Sequence, residues 1–190
     1  MIGVRASLLA SAILLLAPGC SAQADVPAQQ ELAAAIPDRP SGPVLDQSDI
    51  LSASDEAALE ARLIDYWNRN RTAVVVASVD SLGGETVEHY SRRIAEEWGI
   101  GDRANLRGLL VLVAPNERQV RIEVSCGLEN VITDVFAGRV IREQMTPRFK
   151  EGALDQGTLA GVDALIEQLD ASPNPAPVSE SCRSHMKEAA

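Results

Sequence analysis

Three carboxylates, those of Asp102, Glu129 and Asp134, are the side chains in this sequence best suited to chemistry. With Asn105 they supply the hard oxygen ligands that Ca²⁺ and Mg²⁺ prefer, and main-chain carbonyls and water would complete the shell. The sequence therefore predicts a divalent-cation site formed by these residues. In the alternative interpretation Glu129 only favours the positive end of a helix that it opens, Asp134 faces water, and Asp102 lies in a solvated turn.

If the protein cleaves phosphate esters, it would have to use a metal held by these acids, because the ion can polarise phosphoryl oxygens or activate water. The sequence lacks the residues that phosphatase mechanisms without a metal need. His89 and His185 are the only histidines, and Cys126 has Ile132 where a cysteine phosphatase loop needs arginine. Arg107 could bind the phosphate or, in the alternative, form an ion pair with the nearby acids. No catalytic residue is assigned.

The N-terminal residues 1–19 have the features of a signal peptide, with an apolar run over residues 7–17 that is too short to span a bilayer. Residues 17–20, Ala-Pro-Gly-Cys, resemble the lipobox of bacterial lipoproteins, in which the cysteine is acylated. We therefore predict a lipid on Cys20; the alternative is an ordinary signal peptide cleaved nearby. The protein is predicted to be exported to the periplasmic face of a bacterial membrane, and Ser21 favours the outer membrane over the inner one.

With Cys20 set aside for lipid, Cys126 and Cys182 remain as a possible pair. An oxidising periplasm permits their disulfide, which would tie the Pro-rich, polar tail 171–190 back to the domain. The alternative is two unrelated thiols.

The charge balance excludes one class of partner. The chain has 27 Asp and Glu against 17 Lys and Arg, a net charge of −10, and loss of one arginine with the signal peptide leaves 16 against 27, or −11. No basic face is available to neutralise phosphates, so nucleic acid is not an expected partner. After the signal peptide no run reaches about 18 apolar residues, so membrane attachment would depend on the lipid.

Between a flexible tether (20–43) and the tail, residues 44–170 form one α/β domain by their alternating patterns. Helices begin after capping residues and repeat apolar side chains at helical spacing, whereas the strands are β-branched or alternate in polarity. The strands are predicted at 72–79, 107–114 and 119–125 in a mixed, mostly buried sheet of three or four strands. The helices are predicted at 52–70, 85–98, 128–145 (stopped before Pro147) and 154–169.

The connections predict which loops share an end of the sheet. A helical crossover makes the first two of these strands parallel, and a tight turn makes the third antiparallel. The loop 99–106 and the loop 126–129 should therefore meet at one end. Trp67 and Trp98 lie in the apolar stripes of their helices and are predicted to be core residues rather than ligand platforms.

Seven short segments in this order resemble the TPM domain family, found in exported bacterial proteins and in a thylakoid-lumen protein of plants. The resemblance covers residues 44–169 and rests on Asp46–Ser52, Val79–Gly84, Trp98–Gly101, Gly108–Leu112, Arg121–Val124, Gly127–Glu129 and Thr133–Asp134. It implies an α/β fold and a role in photosystem repair, acid phosphatase activity or binding of divalent cations. The sequence departs from the family pattern at Arg107, where Asn is usual, and at Ser125 and Cys126, where Gly-Tyr is usual.

We therefore expect a lipid-anchored, TPM-like domain that acts by binding, in maintenance or assembly of an envelope protein complex, with or without a Ca²⁺ or Mg²⁺ ion. Its partners would be the membrane, through the lipid, and an unidentified envelope protein. The alternative is a metal-dependent acid phosphatase.

Overall fold

A four-stranded mixed sheet forms the centre of the domain. The computed structural model describes residues 35–101, 106–172 and Cys182. The strands lie in the order β1-β2-β3-β4, with the first three parallel and β4 antiparallel to β3. Their bounds are β1 Val44–Asp46, β2 Ala73–Ser78, β3 Gly108–Ala114 and β4 Gln119–Val124. The predicted α/β fold is confirmed, and the three predicted strands match the structure to within one residue at each end.

Helices α1 (Ala53–Asn70) and α2 (Val87–Glu97) begin at hydroxyl caps. The Ser52 side chain accepts a hydrogen bond from the amide of Asp55, and Thr86 does the same for the amide at position 89. Each cap satisfies an amide that has no partner within the helix. Both predicted helices are confirmed, with α2 starting two residues later than expected.

The predicted helix at 128–145 is wrong at both ends. Residues 125–133 are turns and bends, and the helix begins at Asp134 after the Thr133 cap, because the amide of Phe136 bonds the Thr133 hydroxyl at 3.2 Å. It continues past Pro147 as α3 (Asp134–Val140), a π-helical turn (Ile141–Met145) and α4 (Thr146–Lys150). The π-helical turn ends directly before α4. Pro147 therefore lies in the first turn of α4, where the missing amide hydrogen costs little.

Helix α5, Leu154–Asp170, completes the domain. It packs with α1, α3 and α4 on one face of the sheet, and α2 covers the other face. Buried side chains of α5 such as Val162, Leu165 and Leu169 each contribute roughly 1.5–3 kcal/mol by leaving water. Gly157 allows this packing, because a Cβ there would overlap the ring of Phe149.

The chain before β1 crosses one edge of the sheet. The hydroxyl of Tyr90 donates to the carbonyl of Ala35 at 3.4 Å, and the indole of Trp98 donates to the carbonyl of Pro37 at 3.0 Å, so this segment starts on the α2 face. A Cβ on Gly42 would overlap the Glu60 carboxylate of α1, so the chain has reached the other face by that point. Trp98 is buried as predicted, but Trp67 is 38% exposed and the prediction for it is wrong.

In the part of the chain that the structure describes, no helix is long and apolar enough to cross a membrane. The predicted signal peptide, the lipidated Cys20 and most of the tether lie outside the described residues, as does most of the tail.

Candidate functional site

The loops on either side of the predicted cation site meet at one end of the sheet, as their connections predicted. The amide of Gly127 donates to the carbonyl of Leu106 at 2.9 Å, and the Ser125 hydroxyl donates to the same carbonyl at 2.6 Å. A Cβ at position 127 would overlap that carbonyl, so only glycine fits there. The end of β4 and the start of β3 are thereby held against each other.

Glu129 and Asp134 line one cavity of about 560 Å³ beside the edge strand β4. Two arginines, Arg92 and Arg121, line it as well, together with Glu123. The Glu123 carboxylate accepts from the Ser91 hydroxyl at 3.1 Å and from the Arg121 Nε at 3.4 Å. The acids therefore share their cavity with cations, which offset their charge.

The structure shows whether Glu129 and Asp134 lie at the start of a helix, the alternative to a role as metal ligands. Glu129 lies in a turn and opens no helix, so the helix-start interpretation is wrong for it. Asp134 is the first residue of α3, where an acid is favoured by the helix dipole.

The carboxylates that the structure describes do not by themselves hold an ion. No group of three or more His, Cys, Asp or Glu side chains within 35–101, 106–172 or at 182 is arranged to bind a metal. Asp102 and Asn105, which the predicted site also uses, lie outside the described residues. A cation at this rim would therefore need ligands from the loop that contains them.

Arg107 lies in a second cavity, away from Glu129 and Asp134. Its Nε is buried and has no hydrogen-bond partner, and its guanidinium pairs with no carboxylate among the described residues. The suggested ion pair with nearby acids is therefore not found in this part of the chain. The carbonyl of Arg107 accepts from the amide of Ala73 at 2.9 Å, which fixes the residue at the start of β3.

We call the second cavity, of about 610 Å³, the edge groove. It lies where the chain before β1 crosses the sheet edge, and its walls are apolar side chains of α1, the start of β2 and the turn after α2. Its lining consists of residues 39–43, Leu63, Ile64, Trp67, 73–75, 98–101 and Arg107. Its described lining residues include two arginines and no acidic, histidine or cysteine side chain.

Two features of the edge groove are unusual for a domain surface. Ile64 is 44% exposed and Trp67 38% exposed, although both are large and apolar. Neither exposed side chain was predicted from the sequence. The apolar stripe of α1 was the available signal, because Leu63, Ile64, Tyr66 and Trp67 together span more of the helix than one packed face can bury.

Tyr66 lies beside the edge groove, and the positive charge of Arg107 affects its pKa. Burial, the Asp170 carboxylate and the hydrogen bond that the Tyr66 hydroxyl donates to it at 3.1 Å raise the Tyr66 pKa to about 12. The positive charges of Arg107 and Arg69 oppose this rise in pKa. Asp170 thus holds the end of α5 against α1, on the side of the domain where Arg107 lies.

A disulfide joins Cys126 to Cys182, with their Cα atoms 5.9 Å apart, a usual separation for such a bond. Cys182 is buried. The bond ties the chain beyond α5 to the turn that follows β4.

A family model described as the TPM domain matches residues 44–168. The chain belongs to the TPM domain family. None of the curated proteins compared with it matches.

Solved structures with the same fold include three bacterial proteins. The N-terminal domain of a P. gingivalis protein is 29% identical, with a TM-score of 0.64 over 72% of this chain and 87% of that one. An N-terminal domain from Corynebacterium glutamicum is 20% identical, with a TM-score of 0.53 over 77% of this chain and 90% of that one. The BA42 protein of the psychrophilic bacterium Bizionia argentinensis is 19% identical, with a TM-score of 0.58 over 71% and 90%. At such identities the last two support the fold alone.

Proposed function

We propose that this TPM domain acts by binding a protein partner, in the maintenance or assembly of an envelope complex. In this proposal the protein is exported, and a lipid on Cys20 holds it at the periplasmic face of a membrane, the outer rather than the inner one. The observation that carries the binding role is the edge groove, which is apolar and arginine-bearing and whose described lining residues include no acid–base or nucleophilic pair.

The composition of the edge groove is that of an interface. Tryptophan and arginine are enriched where proteins meet, and they dominate the binding energy there. Leaving Ile64 and Trp67 partly in water gives up part of the roughly 1.5–3 kcal/mol that each could gain by full burial. A partner that covers them recovers this free energy.

The binding role is tested by site-specific photo-crosslinking in cells. A photo-reactive amino acid replaces Ile64 in one strain and Val135, the most exposed large apolar residue described, in a control strain. We expect one envelope protein to crosslink at position 64 and not at position 135, and Trp67→Glu to abolish the product. No product at either position, together with unchanged envelope complexes after gene deletion, would rule the binding role out.

The alternative is a metal-dependent acid phosphatase, favoured by one observation: Glu129, Asp134 and Glu123 share a cavity with two arginines. Carboxylates that hold a Ca²⁺ or Mg²⁺ ion next to a cation that binds phosphate are the parts such an enzyme needs. Arg107 lies in the edge groove, so in this alternative Arg92 or Arg121 takes the phosphate-binding role that the sequence suggested for Arg107.

The phosphatase alternative is tested with purified protein and para-nitrophenyl phosphate in the presence of Ca²⁺ or Mg²⁺. It requires turnover that Asp134→Asn abolishes and Asp65→Asn, an exposed acid of α1, leaves intact. Calorimetric titration of the two ions into the same proteins reports cation binding independently of turnover. Absence of turnover with both ions excludes this alternative for that substrate class.

A further inference from the structure

We propose that the edge groove binds an extended segment of the partner protein as an added strand on β2, and that Arg107 binds a carboxylate side chain of that segment. This inference rests on the proposed binding function and specifies what is bound: a short, apolar, extended segment with one Asp or Glu.

The hydrogen bonds of β2 show which of its backbone groups face the groove. The amide of Val76 donates to the carbonyl of Pro43, on the β1 side. The amides of Ala73 and Val79 donate to β3 and its neighbours, on the opposite side. Because backbone direction alternates along a strand, the N–H and C=O of Val74 point to the β1 side, as those of Val76 do.

β1 cannot cover Val74, because the ladder between β1 and β2 begins at the pair of Val44 and Val76. Two residues earlier, the C=O of Val74 would need the amide hydrogen of residue 43, and that residue is proline, which has none. Gly42 lies against Glu60 of α1, so the chain has left the line of the strand. Ala73–Val75 therefore have no strand partner on this side, and these residues line the groove. Val74 is only 2% exposed, so an added strand must displace part of the chain 39–43 that crosses this edge.

The unpaired stretch of edge has the length of a short segment. Three β2 residues span about 10 Å, so they can pair with three or four residues of an added strand. Edge amides and carbonyls that remain unpaired form a template for such addition, a recurrent mode of peptide recognition. The walls on either side, Ile64 with Trp67 and Ile100 with Trp98, are apolar, which fits apolar side chains on both faces of the segment.

The charge of the groove indicates the carboxylate. Among the described residues that line the groove, Arg39 and Arg107 are charged and none is acidic, in a chain with a net charge of −10. The Nε of Arg107 is buried and has no hydrogen-bond partner among the described residues. A carboxylate is the group whose two oxygens match a guanidinium, and bonds between these charged groups are stronger than neutral ones.

The test uses synthetic peptides as probes for the whole protein labelled with ¹⁵N. The probes are a set of acetylated, amidated pentapeptides with one Glu among Val, Leu and Ile residues, and a second set with Gln in place of Glu. We expect a Glu peptide to shift the NMR signals of the Val74 amide and the Trp67 indole, and to slow hydrogen exchange at Val74. The Gln peptides should bind roughly tenfold more weakly, the usual effect of losing a charged hydrogen bond.

Arg107→Gln should abolish this preference for Glu, and Arg92→Gln, in the other cavity, should keep it. The spectrum of each variant shows whether it is folded, and Trp67→Ala gives a second variant that should weaken both peptide sets equally. The inference is overturned if no peptide perturbs Val74, or if the preference for Glu survives in a folded Arg107→Gln protein. Crosslinking at Ile64 without any effect of peptides on Val74 would refute only the added strand; failure of both experiments would refute the binding function too.

Discussion

Reduction of the disulfide between Cys126 and Cys182 should lower the free energy of unfolding by about 1.4 to 4 kcal/mol. The upper value is the loop-closure entropy of a cross-link across 56 residues. The lower value applies if reduction frees the chain after Asp170 in the folded protein, because the folded state then regains the entropy of a 12-residue loop, from position 170 to 182. A result near 1.4 kcal/mol would show that the bond mainly holds the tail.

Urea unfolding followed by tryptophan fluorescence, with and without a phosphine reductant, measures this difference. With a slope near 2 kcal/mol per molar urea, the midpoint should fall by roughly 0.7–2 M. The double variant Cys126→Ser/Cys182→Ser should unfold like the reduced protein and ignore the reductant. A non-reduced digest of exported protein without the cross-linked peptide, or an unchanged urea midpoint when the cross-linked protein is reduced, would refute this prediction.

Three further predictions concern stability and location. Tyr66→Phe should lower the free energy of unfolding by about 1 kcal/mol at pH 8, because the hydrogen bond to Asp170 is lost. Folding raises the Tyr66 pKa from 10 to about 12, so the wild-type protein should lose stability between pH 10 and 12. Urea midpoints should show that the variant loses less stability over this pH range. Gly157→Ala should destabilise by roughly 1–3 kcal/mol in thermal unfolding, because its Cβ overlaps Phe149. Cys20→Ala should move the protein from the membrane fraction to the soluble periplasmic fraction; retention in the membrane would refute lipid anchoring.

Most of the fold could be predicted because its elements carry strong local patterns. The runs that became β2 and β3 are apolar and β-branched, and Ser52 marks the start of α1. The helix start at Asp134 was missed because Leu128, Val131 and Ile132 have helical spacing. The carbonyl of Leu128 instead accepts the amides of both Val131 and Ile132, in a turn that buries all three side chains. The Thr133 cap was the competing signal.

The candidate site was less predictable, because sequence order fixes the end of the sheet at which a residue lies but not the edge. Arg107 was correctly expected at the end that carries Glu129, yet its side chain lines the groove at the β2 edge, whereas Glu129 lies beside β4. The edge groove depends on how late β1 begins. A three-residue strand carries too little pattern to predict, and its limit is set by one proline, Pro43.

The π-helical turn Ile141–Met145 makes this part of the chain sensitive to its residue count. A turn closed by bonds between residues five apart contains one residue more than an α-helical path would need. Deleting one residue from the turn would restore ordinary helical winding and leave the flanking helices in their present orientation. Without a deletion, α-helical winding of the same residues would rotate everything after the turn by about 100° relative to the preceding helix. Phe149 would then turn away from Gly157, the position on α5 that has no side chain in order to receive it. Relatives that lack this turn should therefore be one residue shorter here and should keep the pairing of an aromatic ring with a glycine.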